Sequence, residues 1–122
     1  MNVDDYLNAL DAKLREIAAF VAASVIHREI DANTNLGLLK GQITFVDGSR
    51  FEFTEQLPIE RTKFRLHYMD SVGNLITRWD SAPHHRELPT FPYHKHTSKG
   101  IEAYGPVTAL DVLDEIVKTL KV

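Results

Sequence analysis

Lys63-Phe64-Arg65-Leu66-His67-Tyr68-Met69 and Leu75-Ile76-Thr77-Arg78-Trp79-Asp80 are the two runs that decide the fold. Each alternates apolar with polar residues, the period of a half-buried strand. A four-residue loop of Ser71 to Asn74 pairs Leu66 with Trp79 and Tyr68 with Thr77 on one face. The same register pairs Arg65 with Asp80 and His67 with Arg78 on the other face. A shift of one residue would set Phe64 against Asp80 and Leu66 against Arg78, mixing apolar with charged side chains. The segment therefore reads as an antiparallel hairpin with one apolar and one polar face.

A second hairpin precedes it, turning at Val46-Asp47-Gly48-Ser49. A loop of Asp47, Gly48 and Ser49 pairs Phe45 with Phe51 and Ile43 with Phe53, with Gly48 left-handed in a bulge. Glu55 then lies on the apolar face, level with Gly41. A carboxylate there needs a raised pKa or a cationic partner, and exposure at a strand end is the ordinary alternative. Upstream, Leu7, Leu10, Leu14, Ile17, Val21 and Val25 recur at helical spacing. They predict one amphipathic helix, capped by Asp4 or Asp5 and ended by Asp31-Ala32-Asn33-Thr34-Asn35, with His27 near its C-terminus as a dipole partner.

Downstream, Pro83, Pro89, Pro92 and Pro106 exclude a helix through residues 81–105, and no sustained period replaces it. Phe91, Tyr93 and Tyr104 argue for a packed loop. Thr108-Ala109-Leu110-Asp111 resembles a capping box, and Leu110, Leu113, Ile116, Val117 and Leu120 form the stripe of a closing helix. The expected fold is α+β, a single domain over 1–122. It is a four-stranded antiparallel meander with N- and C-terminal helices packed on one face.

The chain has 122 residues, enough for one core, and is 43% hydrophobic and 25% charged, which is ordinary for a globular protein. It has no cysteine, which excludes disulfides, thiolate nucleophiles and Cys-ligated zinc and fits a reducing compartment. The longest apolar segment, Ile17 to Ile26, falls far short of the roughly 20 residues that span a bilayer. No membrane association and a cytoplasmic location are expected. Residues 1–60 carry five Lys/Arg against ten Asp/Glu, and residues 101–122 two against four. Residues 61–100 carry seven against three and five of the six histidines. A polyanion would be drawn to this middle third alone.

No Walker loop, Gly-x-Gly-x-x-Gly, His-Glu-x-x-His or Gly-x-Ser-x-Gly occurs. Arg65, His67, Arg78 and Asp80 instead gather on one hairpin face. Guanidinium forks grip phosphate oxygens, and histidine titrates near neutrality. Phosphodiester cleavage by a 2′-hydroxyl needs a base, an acid and a cation, which this set can supply. A solvated face tied by Arg–Asp pairing is the competing reading. His94-Lys95-His96 on extended backbone aims both imidazoles to one side. With Asp80 and His84 or His85 they would make a four-ligand metal set, although Lys95 between them suits an anion better. Trp79 alternates with the polar set and belongs to the core, whereas Phe91 and Tyr93 could stack on bases.

The runs Phe64 to Asp70, Gly73 to His85 and Thr90 to His96, together with Asp47 to Glu55, resemble the TumE family of type II toxin–antitoxin systems. The resemblance runs from Ile43 to His96. It departs at Trp79, where tyrosine is commoner, and at Tyr93, where histidine is common. It implies a growth-inhibiting toxin encoded beside a helix-turn-helix antitoxin, with ribonuclease activity suspected for the family. Arg65, His67, Arg78, Asp80, His84, His94, Lys95 and His96 would form the site.

The leading expectation is a metal-independent endoribonuclease with no cofactor. Arg65, Arg78, Lys95 and His84 would bind the RNA phosphate. His67, Asp80, His94, His96 and Glu55 would form the catalytic set. A non-catalytic module binding RNA, a nucleotide or a partner is the first alternative, and a hydrolase with metal on His84, Asp80, His94 and His96 the second. Oligomeric state stays open, a homodimer included. The loop 81–99 is expected to fold back over the polar hairpin face, bringing His94 and His96 to Arg65, His67, Arg78 and Asp80.

Overall fold

The structure, a computed structural model, describes residues 1–61 and 63–121. Helix α1 (Val3–Glu16) is capped by Asn2 rather than Asp4 or Asp5. The Asn2 side chain accepts from Asp5 N–H at 2.7 Å, and the Asp5 carboxylate accepts from Asn2 N–H. A 3-10 turn at Ala18–Phe20 leads into β1 (Val21–Ile30). Then come β2 (Gly37–Phe45), β3 (Arg50–Leu57), β4 (Phe64–Met69), β5 (Leu75–Asp80), β6 (His94–Thr97), β7 (Gly100–Ala103) and α2 (Ala109–Leu120).

The sheet is a seven-stranded antiparallel meander in sequence order, not four-stranded. Two segments supply the three further strands. The predicted first helix ends at Glu16, and residues 21–30 are an edge strand. The step Ile17, Val21, Val25 is four residues, which suits both a helical face and one side of a strand. A bulge between Val21 and Ala23 keeps Val21 toward the core and turns Val25 outward, 69% exposed. His27 is therefore no helix-end partner; its Nε2 lies 2.9 Å from Glu29 Oε1 on the same strand. The second segment, from His94, does not fold over the sheet as the expected loop. It extends the sheet, pairing β6 with β5 and β7 with β6.

The β4–β5 hairpin has the expected pairs, Arg65–Asp80, Leu66–Trp79, His67–Arg78 and Tyr68–Thr77. The β2–β3 hairpin slides by two residues, so that Ile43 pairs with Phe51, Gly41 with Phe53 and Leu39 with Glu55. Asp47 Oδ1 accepts from Ser49 N–H and Oγ–H, and Phe45 N–H donates to Ser49 O, which moves the three-residue turn back by one to Val46–Gly48. Gly48 has φ +88°, the left-handed conformation expected.

Both helices cover one face. Val3, Tyr6 and Leu10 of α1 and Ala109, Val112, Leu113, Ile116 and Val117 of α2 bury with Leu39, Ile43, Phe51, Leu66 and Trp79 of the sheet. Thr108 Oγ1 accepts from Asp111 N–H, and Asp111 Oδ2 accepts from Thr108 N–H, closing a capping box on α2. Thr108→Ala is expected to cost about 1 kcal/mol, read as a lower urea midpoint at unchanged slope. Among the described residues no helix is long and apolar enough to cross a membrane.

Candidate functional site

The register aligns two rows of side chains on the sheet face that the helices leave free. One runs Lys40, Thr54, Arg65, Asp80, His94, and the other Gln42, Glu52, His67, Arg78, His96. Adjacent strands lie about 4.8 Å apart, so the members of a row stand side by side across the sheet.

Asp80 is the hub. Its Oδ1 lies 2.8 Å from His94 Nε2 and accepts from Ala82 N–H at 3.0 Å. Its Oδ2 faces Arg78 Nε at 3.3 Å, an ion pair without hydrogen-bond geometry, and His96 Nε2 at 3.7 Å. Arg78 Nη2 donates to His96 Nε2 at 3.2 Å. Arg65 Nη2 stands 3.4 Å from His67 Nδ1, and no carboxylate pairs with Arg65 among the described residues. Burial, then the guanidiniums of Arg65 and Arg78, push the His67 pKa below its ordinary value. Burial and then Arg78 do the same to His96, against the pull of Asp80. Both rings are therefore neutral at neutral pH.

Phe64, Arg65, Arg78, Asp80, Ser81, Ala82 and His84 line a cavity of about 400 Å³ beside these rows. It joins two guanidiniums, a carboxylate and an imidazole on one open concavity, the inventory of an anion site.

Not every predicted site residue reaches it. Glu55 is 0% exposed on the opposite face, under the helices. Its Oε1 accepts from Tyr6 Oη at 2.6 Å and its Oε2 from Ala109 N–H at 3.0 Å. Burial raises its pKa to about 7, only partly offset by those hydrogen bonds. Lys95 also lies on the opposite side from His94 and His96, because successive strand residues alternate. Its Nζ sits 5.0 Å from the Tyr104 ring centroid and 5.8 Å from that of Trp79. Trp79 is core, and Tyr93 stacks on Phe64 at 6.0 Å. His94 reaches the cluster but is only 2% exposed, so it can orient Asp80 and cannot meet a substrate.

His84 lines the cavity, and its neighbour His85 turns toward the other imidazoles. The His85 ring lies 4.8 Å from His94 and 5.9 Å from His96. The three imidazoles that cluster are His85, His94 and His96, and His84 is not among them. The signal was the His84-His85 dipeptide itself, of which irregular backbone can aim only one ring at β6.

This fold and this face define a small α+β protein with one anion-receptive, histidine-lined sheet surface. A family model described as toxin TumE matches residues 10–121, and the chain belongs to that family. It is a toxin by that membership, which implies an antitoxin partner. No curated protein and no solved structure matches the chain.

Proposed function

We propose that this toxin acts by cleaving RNA at the Arg65–Arg78 face, without a metal in the chemical step. The observation that carries the reading is Arg65, a guanidinium with no carboxylate partner among the described residues. It opens with Arg78 onto the cavity that His84 lines, beside a neutral, half-buried His67. Arg65 and Arg78 hold the two non-bridging oxygens of the scissile phosphate and offset the charge that grows in the pentacoordinate state. His67 removes the proton from the 2′-hydroxyl as that oxygen attacks phosphorus. His84, in the cavity wall, returns a proton to the departing 5′-oxygen. Asp80, fixed by His94 and Ala82 N–H, orients Arg78. The antitoxin, on this reading a helix-turn-helix protein, silences the toxin by covering this face.

The test is tag-free protein incubated with structured and single-stranded RNA in EDTA from pH 5.5 to 8. The expected result is cleavage leaving 2′,3′-cyclic phosphate ends, slowed about 10²–10⁴-fold by His67→Ala. Because the His67 pKa is depressed, its basic form persists below pH 6.5. The acid limb of kcat/KM should therefore have its midpoint below that value. A midpoint above it overturns His67 as base. Salt-dependent RNA binding with no cleavage, unchanged by His67→Ala, overturns the enzyme in favour of a binding module.

A further inference from the structure

We propose that His85, His94 and His96 form a binding site for one divalent transition metal of the zinc class, with Asp80 as its fourth donor. One ligand atom from each of the three imidazoles falls within 4.8 Å of the others. They come from two elements, His94 and His96 from the same side of β6 and His85 from the segment that crosses beside it.

Two acceptors facing each other show where the charge belongs. His94 Nδ1 lies 3.0 Å from Pro92 O, a contact that requires Nδ1–H as donor. That hydrogen bond leaves Nε2 with its lone pair, the tautomer that ligating histidines adopt. Yet Nε2 faces Asp80 Oδ1 at 2.8 Å, also a lone-pair donor. A cation must sit there, a proton or a metal. His96 Nε2 turns its lone pair to the same place, where it accepts from Arg78 Nη2 at 3.2 Å, a hydrogen bond that the metal would replace. A tetrahedral site with metal–nitrogen bonds of about 2.0–2.1 Å has neighbouring donors about 3.3 Å apart. Asp80 Oδ1 stands 2.8 Å from His94 Nε2 and Oδ2 3.7 Å from His96 Nε2, so the first pair must open and the second close slightly, and His85 must draw in from within 4.8 Å, to reach that spacing. The donor set, imidazole with one carboxylate, selects zinc-class metals over magnesium or calcium.

The metal would staple residues 81–93 to the sheet through His85, next to His84 in the cavity wall. Binding does not rest on RNA cleavage, so the two are read separately.

The experiment uses the full, tag-free chain, stripped by chelator, dialysed and titrated with ZnCl₂ in a calorimeter, with CoCl₂ as a spectroscopic probe. The expected result is one zinc per chain, the visible bands of tetrahedral cobalt and a raised Tm. His85→Ala should weaken binding at least about tenfold while His84→Ala leaves it unchanged. His85 is the chosen variant because it lies outside the core, and circular dichroism checks that it folds. No saturable zinc binding overturns the proposal and assigns the cation between His94 and Asp80 to a proton. Equal loss in His84→Ala and His85→Ala overturns the ligand set.

Discussion

Replacing Glu55 with alanine is expected to destabilise the protein by about 3–5 kcal/mol, enough to unfold much of it at 37 °C. Glu55 joins three elements that are distant in sequence. Tyr6 of α1 donates to one carboxyl oxygen, and Ala109 N–H at the start of α2 donates to the other. Alanine leaves a buried hydroxyl and a buried amide without acceptors, each costing about 1–3 kcal/mol, and opens a cavity under both helices. Glu55→Gln keeps an acceptor for Ala109 N–H and a donor for Tyr6 Oη, so its cost should be far smaller.

The same carboxyl gives stability a defined pH dependence. Its pKa is about 7 folded against 4.5 as the unperturbed value. Between those two pH values the folded state holds the proton that the unfolded state has released. This group's contribution is therefore fully present below pH 4.5, declines as pH rises toward about 7, and is lost above that. The full swing is about 3 kcal/mol. Urea midpoints at pH 5 and pH 8 should differ in that sense for the wild type, and the difference should shrink in Glu55→Gln. An unchanged difference would assign the pH dependence to other groups.

Arg78→Ala is expected to lower RNA cleavage about 10²–10³-fold and to abolish growth arrest on expression. Arg78 lies between His67 and His96 in one cross-sheet row and contacts Asp80. Removing it takes away half of the proposed phosphate grip. Lysine should not restore the rate, because an ammonium cannot hold two phosphate oxygens and Asp80 together as a planar fork does. Circular dichroism separates this effect from misfolding. Wild-type cleavage by a folded Arg78→Ala protein would remove the Arg65–Arg78 face from the mechanism.

The alternation of Phe64 to Met69 and Leu75 to Asp80 was enough to set their pairing, because a slip of one residue would bury charge. It also set which side of β2 and β3 faces the core. It could not set their register, since a slide of two residues keeps every side chain on its face. The hydrogen bonds of Asp47 and Ser49 in the turn made that choice. β1 was hidden because a stride of four serves both periods. β6 and β7 are only four residues each, His-Lys-His-Thr and Gly-Ile-Glu-Ala, too short to carry a periodic signal. β6 is a strand because β5 offers it an unpaired edge, and β7 because β6 then does the same.

Residues 65, 67, 78 and 80 were legible as a group from local alternation alone. That Lys95 turns away from His94 and His96 follows from the same alternation once 94–97 is a strand, whereas tertiary structure alone decided that His85 rather than His84 joins them and that Glu55 serves the core. Those choices depend on side chains brought together from distant parts of the chain. Glu55 meets Tyr6 across 49 positions and Ala109 across 54, and no local pattern encodes such a meeting.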